Sequence, residues 1–64
     1  MNKKLKARII ERFGTQADFA QTINADPGLI SRVVRNRRIL PKEDQRLWAK
    51  LLGAKPDEIF QSGD

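Results

Sequence analysis

The sequence predicts an all-α fold: a compact bundle of five short helices that includes a helix-turn-helix and forms one domain over residues 1–64. Apolar residues recur at spacings of three and four, as they do on one face of a helix. Glycine, proline and polar capping residues fall where these stretches begin and end. No alternating β-branched run of five residues occurs, so strands are not expected. A chain of 64 residues buries only roughly 60% of the surface of its unfolded form, so the core is expected to be small.

The first helix is predicted over residues 3–13. Leu5 and Ile9 fall on one face of it, and Ile10 widens this apolar stripe. Gly14 follows, and glycine ends helices because it adopts a positive φ without a steric penalty.

The second helix is predicted over residues 16–23, with Thr15 as its N-cap. Asp18 stands at the acidic position of a capping box. Asn24 ends the helix, since asparagine is tolerated in the left-handed conformation. The expected inner face consists of Phe19, Ala20 and Ile23.

The third helix is predicted over residues 27–36. Asp26 is a suitable N-cap, and Pro27 occupies the first helical position, where its missing N–H is not needed. Only about three residues separate this helix from the second one, so we expect the two to cross steeply, as in a helix-turn-helix. The residues expected to face the core are Leu29, Ile30, Val33 and Val34.

The fourth helix is predicted over residues 41–52 and ends at Gly53, and a short fifth helix is predicted over residues 56–60. The apolar face of the fourth helix is expected to consist of Leu47, Trp48, Leu51 and Leu52. Ile59 and Phe60 are expected to close the core, and residues 61–64 are expected to fray.

Positive charge is concentrated in two segments of the chain. The totals are 13 Lys and Arg against 8 Asp and Glu, a net charge of +5. Residues 1–12 hold five cations and one acid, and residues 27–40 hold four arginines and no acid. Such a distribution favours a polyanionic partner.

Several classes of function are disfavoured by composition. The chain has no cysteine and no histidine, which excludes disulfides and metal sites built from thiolates or imidazoles. No catalytic residue, cofactor, metal or small-molecule ligand is expected, so we do not expect an enzyme. No apolar stretch is long enough to span a membrane or to form a signal peptide, and a cytoplasmic protein is expected.

The exposed face of the third helix is the most informative feature. A helical wheel puts Gly28, Ser31, Arg32 and Arg35 opposite the apolar residues. Guanidinium groups match the O6/N7 edge of guanine and also bind phosphates, so this face suits a DNA major groove. Arg37 and Arg38 are expected to leave the helix on a loop. The alternative interpretation is that the arginines are ordinary solvated helix residues.

Residues 14–60, about three quarters of the chain, resemble the Cro/C1-type helix-turn-helix domain of the xenobiotic-response-element family, found in phage repressors and bacterial transcriptional regulators. The order and spacing of several short motifs carry the resemblance. They are Thr15-Gln16, Ala20, Ile23-Asn24, Ile30-Ser31-Arg32, Arg37-Arg38, Pro41, Leu51-Leu52-Gly53 and Asp57-Glu58-Ile59-Phe60.

The resemblance implies a lambda-repressor-like fold and a transcriptional regulator that binds double-stranded DNA, with repression as the expected role. It also implies binding as a homodimer on a two-fold-symmetric site. The positions that would face bases are Pro27, Gly28, Ser31 and Arg32. The positions that would contact the DNA backbone are Thr15, Gln16, Arg35, Arg37 and Arg38, of which the three arginines would meet phosphate or reach toward the minor groove.

The chain departs from the family pattern at a few positions. Asn24 and Asn36 stand where many members have glycine, and Val34 stands where many have a glutamate. Pro27 and Gly28 offer no hydrogen-bonding side chain, which leaves Arg32 as the main candidate for a base contact. A protein-interaction module, antitoxin-like or adaptor, is the alternative function, because one fold serves many functions. Binding to RNA or single strands is disfavoured, since Trp48 is expected in the core and not on a stacking surface.

Overall fold

The computed structural model describes residues 1–60, which contain five α-helices and no strand. The helices are α1 (Lys3–Phe13), α2 (Gln16–Thr22), α3 (Pro27–Val34), α4 (Lys42–Leu51) and α5 (Pro56–Ile59). The predicted all-α bundle of five short helices is confirmed. The predicted fraying concerns residues 61–64, which lie outside the described residues.

The helix ends differ from the predicted ones by at most two residues. The structure ends α2 at Thr22 and not at residue 23, α3 at Val34 and not at residue 36, and α5 at Ile59 and not at residue 60. The fourth helix is shorter by one residue at each end. In each case the prediction counted the flanking cap residue as helical, and in α3 it also counted Asn36, which follows the C-cap. The connection between α2 and α3 is therefore residues 23–26, one residue longer than predicted.

Three of the helices end in the same hydrogen-bonded turn. The residue after the C-cap has a left-handed backbone in each case: φ is 57° at Asn24, 62° at Asn36 and 66° at Gly53. The N–H of the next residue then donates to the carbonyl five residues back, with N···O distances of 2.8 to 3.0 Å. This is the Schellman motif, and it satisfies carbonyls that a helix end leaves open. The predicted ends at Asn24 and Gly53 are confirmed.

The core lies between the inner faces of all five helices. Its buried residues are Leu5, Ile9, Phe19, Ala20, Ile30, Val33, Val34, Leu40, Trp48, Ala49, Leu52 and Ile59. Phe19 contacts Trp48 edge-on, with ring centroids 5.1 Å apart and ring planes at 90°. The expectation that Trp48 belongs to the core is confirmed, since only 3% of it is exposed.

Two residues assigned to apolar faces lie outside the core. Leu47 is 50% exposed and Ile10 is 45% exposed. Each directly neighbours a buried residue of the same helix, and one residue along a helix turns a side chain by about 100°. The buried stripe is therefore narrower than predicted. In α4 it is formed by Trp48 and Ala49, and the C-cap Leu52 continues it.

Asn2 joins three helices at the side of the bundle where α3 ends. Its side-chain oxygen accepts a hydrogen bond from Leu5 N at 3.0 Å and so caps α1. Its side-chain amide donates to the carbonyl of Ile59 at 2.5 Å, and its backbone N–H donates to the carbonyl of Val34 at 2.6 Å. This residue therefore fixes the start of α1 against the ends of α3 and α5.

Candidate nucleic-acid interface

The N-terminus of α3 forms as its sequence predicts. Asp26 has an extended backbone, and its Oδ1 accepts a hydrogen bond from the N–H of Gly28 at 3.1 Å. Pro27 occupies the first helical position. Asp26 therefore satisfies one of the N–H groups that a helix start leaves without a partner.

The two faces of α3 separate apolar from polar residues, as predicted. Ile30, Val33 and Val34 are buried in the core. Leu29 is partly buried and packs against the same cluster. On the opposite side, Gly28 and Ser31 are partly exposed, and Arg32 and Arg35 are exposed. The structure thus brings together on one accessible face the outward residues that the helical wheel assigned to α3.

Helix α2 packs against α3 and contributes two further candidate residues at its start. Thr15 is the N-cap, and its hydroxyl accepts a hydrogen bond from the N–H of Asp18 at 3.0 Å. Gln16 begins the helix and is partly exposed. The predicted capping box forms only in part, because within residues 1–60 the Asp18 carboxylate makes no hydrogen bond back to Thr15. An aspartate is one methylene shorter than the usual glutamate, which reduces its reach.

The segment after α3 adds exposed cations. Arg37 and Arg38 follow the helix and are exposed, as predicted. The Schellman turn joins the N–H of Arg37 to the carbonyl of Arg32 at 2.8 Å. An apolar contact usually accompanies this turn near these two positions. Here the two positions hold Arg32 and Arg37, so the turn brings the backbones of two positively charged residues together.

The N-terminal cations lie next to this segment, which the sequence alone does not reveal. An open groove of about 510 Å³ lies between the start of α1 and the residues that follow α3. Lys3, Lys4 and Arg38 all contribute to its walls. The two basic segments of the sequence therefore meet on one side of the molecule.

Arg32 has a defined orientation on the surface of α3. Its Nε–H donates a hydrogen bond to the carbonyl of Gly28 at 3.1 Å. One terminal nitrogen of its guanidinium lies 3.7 Å from Oδ2 of Asp26. Asp26 was predicted only as a cap, and its contact with Arg32 was not predicted. The available signal was the glycine four residues before Arg32, which leaves room for a side chain to fold back along the helix.

Other kinds of site find no support in the described part of the chain. Within residues 1–60 no group of three His, Cys, Asp or Glu side chains is placed to hold a metal ion. None of the helices described there is both long and apolar enough to cross a membrane.

Comparison of the chain with models of protein families, with curated protein sequences and with solved structures found no match. The resemblance to Cro/C1-type domains therefore stays a prediction from the sequence.

Proposed function

We propose that this protein is a sequence-specific regulator that binds double-stranded DNA through α3, in the manner of Cro/C1-type, lambda-repressor-like domains. One observation carries the proposal: α3 buries one face in the core and exposes Arg32 and Arg35 on the other. An exposed helix of this kind fits the major groove of B-DNA, which is about 12 Å wide and admits an α-helix.

Specificity is assigned to Arg32 and Ser31. Arginine can donate two parallel hydrogen bonds to guanine O6 and N7, and serine can contact several bases. Pro27 and Gly28 lie at the same end of α3 and would allow close approach to the base edges. They have no side-chain donor or acceptor, so direct readout rests mainly on Arg32.

Affinity is assigned to the residues around this helix. Arg35, Arg37 and Arg38 are exposed at and after the end of α3 and would contact phosphates. Thr15 and Gln16, at the start of α2, would contact the DNA backbone. Lys3 and Lys4 share a groove with Arg38 and extend the same basic surface.

The regulator would act in the cytoplasm as a repressor, and a homodimer would place two α3 helices in half-sites about 10 base pairs apart.

The second candidate function is a protein-interaction module. One observation favours it: Ile39 is 87% exposed, and together with Met1 it lines the groove beside the N-terminal lysines.

A selection from a randomised duplex library at about 150 mM salt tests the proposal. The purified chain should enrich one motif, and a two-fold-symmetric motif would support the homodimer. A single half-site would retain DNA binding and remove the dimer. No enrichment would remove the DNA proposal in favour of a protein partner. Arg46→Ala is the matched control, because it removes an exposed arginine from α4 and should leave the motif unchanged.

A further inference from the structure

The side chain of Arg32 folds back along the first turn of α3. Its Nε–H binds the carbonyl of Gly28 at 3.1 Å, and its guanidinium approaches Asp26 Oδ2 at 3.7 Å. These contacts hold the guanidinium at both its inner edge and one terminal nitrogen. A long arginine side chain on a helix surface otherwise samples many rotamers.

The two carboxylate oxygens of Asp26 have different partners. Oδ1 accepts the capping hydrogen bond from Gly28 N at 3.1 Å, and Oδ2 faces Arg32. The cap fixes the carboxylate on the helix end, and the fixed carboxylate then orients the arginine. Asp26 is thus more than a cap.

Gly28 provides the space for this arrangement. A Cβ atom at position 28 would lie 3.2 Å from Asp26 Oδ2 and 3.4 Å from a terminal nitrogen of Arg32. The first contact is tight, so the Asp26 carboxylate would have to shift by a few tenths of an ångström, whereas the second is an ordinary van der Waals contact. Glycine lowers helix stability relative to alanine, and at position 28 it leaves the Asp26 carboxylate undisturbed beside Arg32.

The remaining edge of the guanidinium is available to a ligand. Arginine has five N–H donors, and the Nε–H is the one that binds Gly28. Within residues 1–60 the other terminal nitrogen, Nη1, has no hydrogen-bond partner, and the side chain of Arg32 is 57% exposed. The outer edge formed by the two terminal nitrogens is the one that binds guanine O6 and N7.

We propose that Asp26 and Gly28 are positioning residues that determine specificity by holding Arg32 in the orientation that reads a guanine. This inference rests on the proposed function. Fixing the side chain before binding lowers the entropy lost on binding. The Asp26 carboxylate also repels phosphates, so it disfavours registers of the helix in which Arg32 would meet the DNA backbone.

Asp26→Asn is the most direct test. Asparagine caps helices as well as aspartate does, so Oδ1 keeps its role. The amide replaces Oδ2 with a donor facing the donors of Arg32, and the negative charge is lost. We expect a drop of about two- to five-fold in preference at the base pair that Arg32 reads, the range typical of exposed ion pairs. Retention of random duplexes should rise at the same time, because a repulsive charge is gone.

Library selections with the original chain, Asp26→Asn and Arg32→Ala give the comparison. In the Arg32→Ala background, Asp26→Asn should have no further effect on preference at that base pair. Asp57→Asn removes a charge from α5 and controls for net charge, so it should leave base preference unchanged.

Gly28→Ala separates positioning from folding. The new methyl group should lower preference at the same base pair without lowering the melting temperature, since alanine favours the helix. The inference is overturned if Asp26→Asn and Gly28→Ala both keep the preference of the original chain. If the original chain enriches no motif, the proposed function fails first and this inference fails with it.

Discussion

The arginines of the candidate interface have different surroundings, and these surroundings separate their expected roles. Arg32 is bound to the first turn of its own helix. Arg38 lies after the helix and shares a groove with two lysines. A guanidinium held by two contacts suits a base edge, whereas a group of exposed cations suits phosphates.

Replacing Arg32 with alanine should remove a base contact. We expect a loss of about 1–3 kcal/mol on the selected duplex and relaxed preference at one or two base pairs. Affinities for the selected duplex and for its single-substitution variants give the measurement. Equal weakening on every duplex would instead assign Arg32 to a phosphate.

Replacing Arg38 with alanine should act on all sequences alike. The slope of log K against log salt should become shallower by about one unit, because one phosphate contact is lost. Titrations on selected and unrelated duplexes at several salt concentrations measure this slope. A slope identical to that of the original chain would exclude the role.

Sequence periodicity placed the arginines correctly but not the partners of Arg32. A helical wheel indicates the direction in which a side chain leaves the helix, and it assigned Arg32 and Arg35 to the exposed face. It carries no information on rotamers, and Asp26 and Arg32 are six residues apart, which is not a standard helical neighbour spacing. The capping pattern predicted the hydrogen bond between Asp26 and the start of α3, but not the contact between Asp26 and Arg32.

At the scale of the elements, single residues outside the helices determine how the helices meet. Asn2 is the main example, since its hydrogen bonds join the start of α1 to α3 and α5. A sequence shows that Asn2 can cap a helix, but it does not show the distant partners of this residue. The side-chain amide binds Ile59, 57 residues away, and the backbone N–H binds Val34. The helices were therefore predictable to within two residues, and their joints were not.

Asn2→Ala should destabilise the fold. The substitution removes the side-chain cap of α1 and the hydrogen bond to Ile59, and keeps the backbone bond to Val34. We expect a loss of about 1–2 kcal/mol in the free energy of unfolding. Urea denaturation measures it, with Lys6→Ala as an exposed control on α1 that should change stability by less than about 0.5 kcal/mol. Equal effects of the two variants would contradict the role of Asn2.

Gly53→Ala should destabilise the end of α4. Gly53 has a φ of 66°, which costs a residue with a Cβ about 1–2 kcal/mol. The new atom would also overlap a terminal nitrogen of Arg12, so the Arg12 side chain would have to move away from the end of α4. Thermal or urea denaturation gives the total. In an Arg12→Ala background only the backbone part should remain, and an unchanged loss there would show that Arg12 moves at no cost.

At the scale of the whole molecule, the fold gathers positive charge that the sequence divides between two segments. The net charge is +5, and Lys3 and Lys4 near the N-terminus meet Arg38, which follows α3, at one groove. Composition alone predicts a polyanionic partner. Only the fold indicates that both segments could contact the same one.

Affinity for DNA should therefore depend steeply on salt. If Arg35, Arg37 and Arg38 contact phosphates, the slope of log K against log salt is about −3 for each chain. With Lys3 and Lys4 included it is about −4.5. Raising salt from about 50 to 200 mM should weaken binding by roughly 60- to 500-fold on this relation. Fluorescence anisotropy of a labelled duplex measures it. A nearly flat dependence would remove DNA as the main partner and favour the protein-interaction module.

The position of Trp48 makes the chain its own optical reporter. It is the one tryptophan, the chain has no tyrosine, and only 3% of Trp48 is exposed. Phe19 lies against its ring on one side and Phe60 lies 6.1 Å away between ring centroids. Its emission should therefore lie to the blue of free indole and move to the red when the core opens. Because Trp48 is enclosed by the core, a duplex bound at α3 should leave that emission unchanged. Tryptophan emission can therefore report folding while a labelled duplex in the same cuvette reports DNA binding.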